Sequence, residues 1–349
     1  MTATALACPV PIVETERIQL GHGSGGSLSA ALIRNHFLPH FGNPVLNRQA
    51  DGAVVSVPGG EVVLSTDTFV VSPLEFPGGN IGSLAVHGTL NDLAMMGGRP
   101  IGLTAGFVLE EGLPFIRLDR IIRAMAAAAR EAEVPIVAGD TKVVERGKAD
   151  GLYVNTTGLG LLDSAFRPSP ERGRVGDLVL VSGALGRHGM AVMAAREGLA
   201  FETTITSDSA SLCPLVEALR TRAGAGVHVL RDPTRGGLAS ALNEIALASG
   251  VGIELEERAL LVPSDVAAAC EMLGLDPLYV ANEGVLAALV APSAADAALA
   301  ALRSHPLGAD AWVAGRVVDG HPGMVAMRTA LGGLRVVDLL PGDQLPRIC

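Results

Sequence analysis

Apolar and polar residues alternate in several stretches of the chain, each closed by glycine. "GAVVSVPGG" and "EVVLSTDTFVV" predict a strand–turn–strand unit. "NIGSLAVHGTLNDLAMMGG" predicts a helix from Ile81 to Met96, ended by Gly97 and Gly98. The segments "IGLTAGFVL", "VPIVAGDTKVV" and "GLYVNTTGLGLL" read as strands, and "RLDRIIRAMAAAAREAE" as a strongly amphipathic helix. Upstream, "LGHGSGG" is a glycine-rich loop and "SLSAALIRNHFLPHF" has helical spacing.

The pattern restarts near "RPSPERGRVGD". "DLVLVSG" predicts a strand and "GRHGMAVMAAREG" a helix, and "HVLRDPTRGGLASALNEIALASG" a strand end, a glycine turn and a helix. "VGIELE", "EGVLAALV" and "WVAGRVV" read as strands and "AADAALAALRSH" as a helix, with Glu283 of "VANEG" at a strand start. The expected organisation is α+β: a leader over 1–43, a first half over 44–163, a second half over 170–333 and a tail over 334–349. The tail, "LRVVDLLPGDQLPRIC", is a strand-like piece followed by proline-punctuated chain, able to span at most ~50 Å if extended.

Composition sharpens this picture. At 349 residues the chain is long enough for two cores, and aromatics at 3% leave Val, Leu, Ile and Ala to build them. A net charge of −10 argues against nucleic acid or an anionic membrane as partner. No run of apolar residues is long enough for a membrane span, and the N-terminus lacks the basic start of a signal peptide. Cys8, Cys213, Cys270 and Cys349 are too scattered for a zinc knuckle or a disulfide framework, so a cytoplasmic protein with reduced thiols is expected. Only Lys142 and Lys148 among 26 basic side chains are lysines, which singles them out as compact charges or titratable amines.

Four acids sit at strand ends or turns of the first half: Asp51, Asp67, Asp92 and Asp140. Oxygen donors of this kind suit Mg²⁺ bridging to phosphates, although Asp also terminates strands for purely local reasons. Gly23 and Gly25 lie in a loop whose N–H groups could cradle phosphate, or which is simply flexible. His87 and Asn91 share one helix face beside Asp92, and Gly88 inside that helix points to a close neighbour. Asp232 and Arg235 stand at the mouth of a helix opened by two glycines, as in an anion site or an ordinary capped start. Cys349 ends the chain where nothing downstream holds it, so it is either incidental or carried by a mobile arm.

Taken in order, "GHGSGG", "STDTFVVSPLEFPGGNIG", "VHGTLNDLAMMGG", "AGDTKVV", "DPTRGGLA", "ANEG" and the terminal "PRIC" resemble the HypE family of hydrogenase maturation factors. This family is a branch of the superfamily that contains aminoimidazole ribonucleotide synthetase, selenophosphate synthetase and thiamine-phosphate kinase. The "DTF…NDLAMMGG…GDTK" series is shared across the superfamily, and "PRIC" marks the branch. The resemblance implies an aminoimidazole ribonucleotide synthetase-like two-domain protomer that dimerises through its N-terminal sheet in a barrel-like interface. It also implies ATP and Mg²⁺ as cofactors, with Asp51, Asp67, Asp92 and Asp140 as Mg²⁺–phosphate ligands and Asn91 and the glycine loop assisting. The implied reaction is dehydration of a carbamoyl group on Cys349, loaded by HypF and passed as cyanide to HypC–HypD for the [NiFe] hydrogenase iron. Chemically this calls for a base, with His87 and Glu283 as candidates, and for Lys142 on the developing charge. Pro341 and Gly342 would hinge the arm and Pro346 stiffen it. A selenophosphate synthetase-like enzyme and a non-catalytic maturation scaffold are the alternatives.

Overall fold

The structure, a computed structural model, describes residues 26–196, 205–340, 345 and 347–349. Gly23, Gly25, Pro341, Gly342 and Pro346 lie outside the described residues, as does Cys8. The helical spacing after the glycine loop is realised as α1 (Ser27–Leu32) and α2 (Leu38–Phe41), joined by a π-helical turn at Ile33–Phe37. Pro39 lacks an N–H to continue the ladder, which accounts for the break there.

The first half contains β1 (Ala53–Val57), β2 (Gly60–Phe69), a ribbon of β3 (Glu75–Phe76) and β4 (Gly79–Asn80), α3 (Ile81–Met95), β5 (Gly98–Glu110), α4 (Phe115–Glu131), β6 (Ile136–Val144) and β7 (Leu152–Leu162). Its five-stranded sheet runs β1-β2-β7-β5-β6. Only β5 and β6 pair in parallel, and α4 supplies the crossover this requires. The sheet is open in a single chain, with β1 and β6 at its edges.

α3 positions the site. Asn80 caps it by accepting from Gly82 N–H at 2.9 Å and Ser83 N–H at 3.2 Å, while Ser83 Oγ accepts from Asn80 N–H. Its residues are apolar or small on nearly every side, so it is buried almost all round, between the first sheet and the second half. Gly88 is needed there: a Cβ would lie 2.9 Å from the Phe69 ring.

The second half contains β8 (Leu178–Val181), α5 (Arg187–Arg196), α6 (Cys213–Arg222), β9 (Val227–Arg231), α7 (Gly237–Ser249), β10 (Gly252–Glu256), α8 (Ser264–Leu273), β11 (Ala287–Val290), α9 (Pro292–Arg303), β12 (Trp312–Val318), β13 (Val325–Arg328) and β14 (Leu334–Val337). Its seven-stranded sheet runs β14-β13-β10-β12-β8-β11-β9. Apolar clusters cover both faces, one with α7 and one with α6 and α9. A third cluster joins the halves: Phe69, Val71 and Ile121 from the first pack with Met190 and Val266 from the second. Leu345 and Ile348 of the tail complete it, so the chain end is built into the core between the halves. No helix among the described residues is long and apolar enough to cross a membrane.

Candidate active site

One pocket collects chemistry from both halves. Asp51 reaches it from just before β1, Ser65, Thr66 and Asp67 from β2, and Asp92 from the last turn of α3. Asp232, Thr234 and Arg235 come from the loop between β9 and α7, Glu283 from the loop before β11, and Cys349 from the chain end. A carboxylate oxygen from each of Asp51, Asp92 and Asp232 lies within 4.8 Å of the others.

Burial and mutual repulsion set the protonation of these acids. Burial lifts Asp51 to about 7 against the pull of Arg231, whose guanidinium is 2.5 Å away, and lifts Asp232 to about 6. Asp92 is pushed well above its ordinary range by burial and by the charges of Asp232, Asp51 and Asp67, although Ser65 Oγ donates to it at 2.5 Å. Glu283, 2% exposed, is likewise raised by burial and by neighbouring acids, and its Oε1 has no hydrogen-bond partner. Positive charge is supplied by Arg231 and Arg235. Burial opposes the charge on Arg231, but Asp51, Glu244 and Asp232 outweigh it. Arg235 is held protonated by electrostatic attraction from the terminal residue Cys349 and from Asp67, Glu283 and Asp92.

The pocket therefore unites Asp51, Asp67, Asp92, Asp232, Arg235, Glu283 and Cys349. Glu283 sits in a loop four residues before β11, not at a strand start. His87 stands next to the lining residue Gly88; its Nδ1 is 2.9 Å from Ser209 Oγ, and burial pulls it down to about 4, so it is neutral. Asn91 does not line the pocket. Its amide joins the halves, donating to the Ala210 carbonyl at 3.1 Å and accepting from Leu212 N–H at 2.7 Å. Asp140 and Lys142 also lie outside it. They pair with each other on the edge strand β6 and remain about 70% exposed, at 72% and 70%. Sequence reasoning did not select Ser65, Arg231, Thr234, Glu244 or Asp208. Arg231 is adjacent to Asp232 in "LRDPTRGG" and was open to notice. Asp208 sits in a stretch with no periodic pattern. Its carboxylate accepts from Glu283 N–H at 3.3 Å and Gly284 N–H at 3.2 Å, and a Cβ on Gly284 would lie 1.8 Å from the Asp208 carbonyl oxygen.

Three clustered carboxylate oxygens fit a hard divalent cation. Because Asp51 and Asp232 are raised to about 7 and about 6, the folded chain binds more protons than the unfolded one above pH ~4. Their contribution to stability is present below the unfolded values and is lost as pH rises through 6 to 7. Mg²⁺ is expected to raise the melting temperature more at pH 8 than at pH 5. Equal shifts at both pH values in a thermal melt would remove these acids from metal binding.

Residues 49–162 match the family model for the AIR synthase related protein N-terminal domain, and 174–327 that for the C-terminal domain. A carbamoyl dehydratase HypE from Bradyrhizobium diazoefficiens is 56% identical over 332 residues, 95% of this chain and 96% of that protein. The chain belongs to the HypE family. A HypE–HypF complex contains a chain that superposes with a TM-score of 0.84 at 47% identity, covering 89% of this chain and 100% of that one. A HypE crystallised with ATP superposes with a TM-score of 0.81 at 48% identity, covering 95% of this chain and 99% of that one. The two-domain α+β expectation agrees with these HypE structures.

Proposed function

We propose that the chain is an ATP-dependent carbamoyl dehydratase acting on its own terminus: an S-carbamoyl group on Cys349 becomes a thiocyanate that supplies cyanide to the [NiFe] hydrogenase iron. The observation that carries this reading is the presence of Cys349 in the acidic pocket beside Arg235 and Glu283.

An amide oxygen leaves poorly as hydroxide and well as phosphate. The carboxamide oxygen of the substrate attacks the γ-phosphorus of ATP and ADP departs. The C–O bond then breaks, phosphate takes its electron pair, and the nitrogen gives up two protons as the C≡N bond forms. Glu283, buried with one oxygen unpartnered, is placed to take a nitrogen proton. Neutral His87 is the second candidate acceptor. Arg235 offsets negative charge next to Cys349. Asp51, Asp92 and Asp232 would hold Mg²⁺, with Asp67 beside them; the ion would shield charge on the phosphates. Asp67 and Asp92 lie on β2 and α3, which pack into the core between the halves, so the donors are preorganised. The insertion of Ile348 into that core holds the partly buried Cys349 at the pocket.

Membership of the HypE family supports loading by a HypF-type carbamoyltransferase; handover to HypC–HypD, and action in the cytoplasm, are part of the same reading. A selenophosphate synthetase-like enzyme or a scaffold leaves the terminal thiol in the acidic pocket without a task. Incubation with HypF, carbamoyl phosphate and ATP, read by intact mass, is expected to show a carbamoyl gain and then loss of one water. A carbamoyl that persists with ATP present overturns the reading.

Homodimerisation accounts for Asp140 and Lys142. The open sheet face exposes Leu161 at 53%, and edge strand β6 exposes Val137 at 66% and Val143 at 67%. An exposed edge strand with apolar residues at both ends invites pairing. Pocket residue Thr66 shares this face with Asp140 through the ladder Thr66–Thr157–Thr104–Ala138. A second copy packed on the face would bring its Asp140 and Lys142 to a neighbouring pocket. Val137→Lys combined with Leu161→Lys is expected to weaken the dimer at least about a hundredfold in sedimentation equilibrium. An unchanged dimer would place the contact elsewhere.

A further inference from the structure

The backbone of the docked tail is held from two sides. Val70 N–H donates to the Cys349 carbonyl at 3.1 Å and Ser72 N–H to that of Arg347 at 3.2 Å. These two bonds tie the last residues to the chain leaving β2, although Arg347, with φ at 55°, keeps the tail from continuing the sheet as a strand. The intervening carbonyl, of Ile348, faces the other way, and Ile348 is 2% exposed. A buried carbonyl needs a donor from elsewhere. His188 of α5 supplies it, with Nε2 at 2.8 Å.

The surroundings of His188 fix its proton. A carbonyl at Nε2 requires hydrogen on that nitrogen, so Nδ1 accepts from Ser207 Oγ at 2.8 Å. Burial holds the ring neutral by pulling it down to about 4. Phe76 meets it edge-on at 5.3 Å between centroids. The support continues toward the site: Ser207 Oγ accepts from Ser209 N–H at 3.0 Å, and Ser209 Oγ meets His87.

A second catch lies at Arg347. Its Nε donates to the Val70 carbonyl at 3.0 Å, and its guanidinium pairs with Asp150. Arg196, also on α5, donates to the Arg347 carbonyl at 2.7 Å and to that of Ser72 at 2.8 Å. The first half provides Val70, Ser72 and Asp150, and the second provides His188 and Arg196.

We propose that His188 is a positioning residue that latches the tail in its docked position, with Arg347 as the second catch, and so sets the fraction of time Cys349 spends in the pocket. Its part in turnover rests on the carbamoyl dehydratase reading; the latch itself does not.

The test uses the full chain and site-resolved alkylation by N-ethylmaleimide, following the C-terminal peptide by mass spectrometry. Cys349 is partly buried in the docked tail, so release of the tail raises its alkylation rate above the parent's. His188→Leu is expected to speed Cys349 alkylation about fivefold, the equivalent of one lost hydrogen bond. His188→Gln, which keeps a side-chain N–H, is expected to stay near the parent. Arg347→Ala, confined to the tail, is expected to give about tenfold or more through loss of its carbonyl bond and ion pair. Conversion of the carbamoyl group should slow in parallel while loading by HypF does not. Parent-like alkylation in both His188→Leu and Arg347→Ala would overturn the latch, as would equal acceleration at Cys213 and Cys270, which signals general loosening. Faster alkylation without any nitrile in the parent would leave the latch standing and defeat the functional reading.

Discussion

Cys349→Ala abolishes nitrile formation and leaves ATP binding in place: this is the largest effect expected. Neither of the other thiols among the described residues can substitute. Cys213 and Cys270 have their pKa values raised by burial, Cys270 to about 11, so neither presents a ready thiolate. Neither lines the pocket. The variant lacks only the sulfur, because the main-chain bonds of the last residues do not depend on it. Intact mass after incubation with HypF, carbamoyl phosphate and ATP reads the first part, and calorimetric titration with ATP reads the second. A nitrile still formed in the variant, or ATP binding lost with the sulfur, would each count against the terminal thiol as carrier.

Glu283→Gln should slow dehydration by about 10²–10⁴-fold, the usual contribution of a positioned acid or base. Glutamine keeps the shape of the side chain and cannot take a proton. Carbamoyl loading should persist, because that step belongs to the partner enzyme. The pH profile separates chemistry from packing. The Glu283 carboxyl is raised by burial and by Asp232, Asp67 and Asp208, so the active ionised form grows as pH rises through that raised value. The parent rate should climb with pH over that limb, and the variant should lose it. A variant with the parent rate and the parent limb removes Glu283 from the proton transfers.

Much of this architecture was open to reading because its residues act locally. The alternation in "EVVLSTDTFVV" and the glycine stop after "AMM" fix β2 and α3 with little help from the rest of the chain. Asp51, Asp67, Asp92 and Asp232 stand out as acids at strand or helix ends, and the fold brings all four to one pocket. Some elements were less visible. α6 opens with Cys-Pro, and the run of alanines in "SDVAAACEML" gives α8 no clear apolar stripe. The residues missed outright act at long range. His188 looks like an ordinary helix residue in "GRHGMAVM", and only the folded chain sets it against a carbonyl 160 positions away. Asn91 is singled out in the sequence because it shares a helix face with His87 beside Asp92 and because the family resemblance implies that it assists. Helical geometry turns the side chains of Asn91 and Asp92 about 100° apart, so Asp92 faces the pocket and Asn91 the joint between halves. Asp140 and Lys142 are recognisable in sequence, yet their placement depends on what covers an edge strand.

Seating Leu345 and Ile348 inside a shared core has a price for delivery. Each removes a large aliphatic group from water, a gain of roughly 1.5–3 kcal/mol. Withdrawal exposes both groups, together with the cleft they filled and the amides of Val70 and Ser72. An extended form would thus be greasy near its tip and would favour redocking in free solution. On the proposed function, a receiving protein would prolong it by offering a hydrophobic socket of its own, which would make cargo exchange a competition between two sockets for the same pair of side chains.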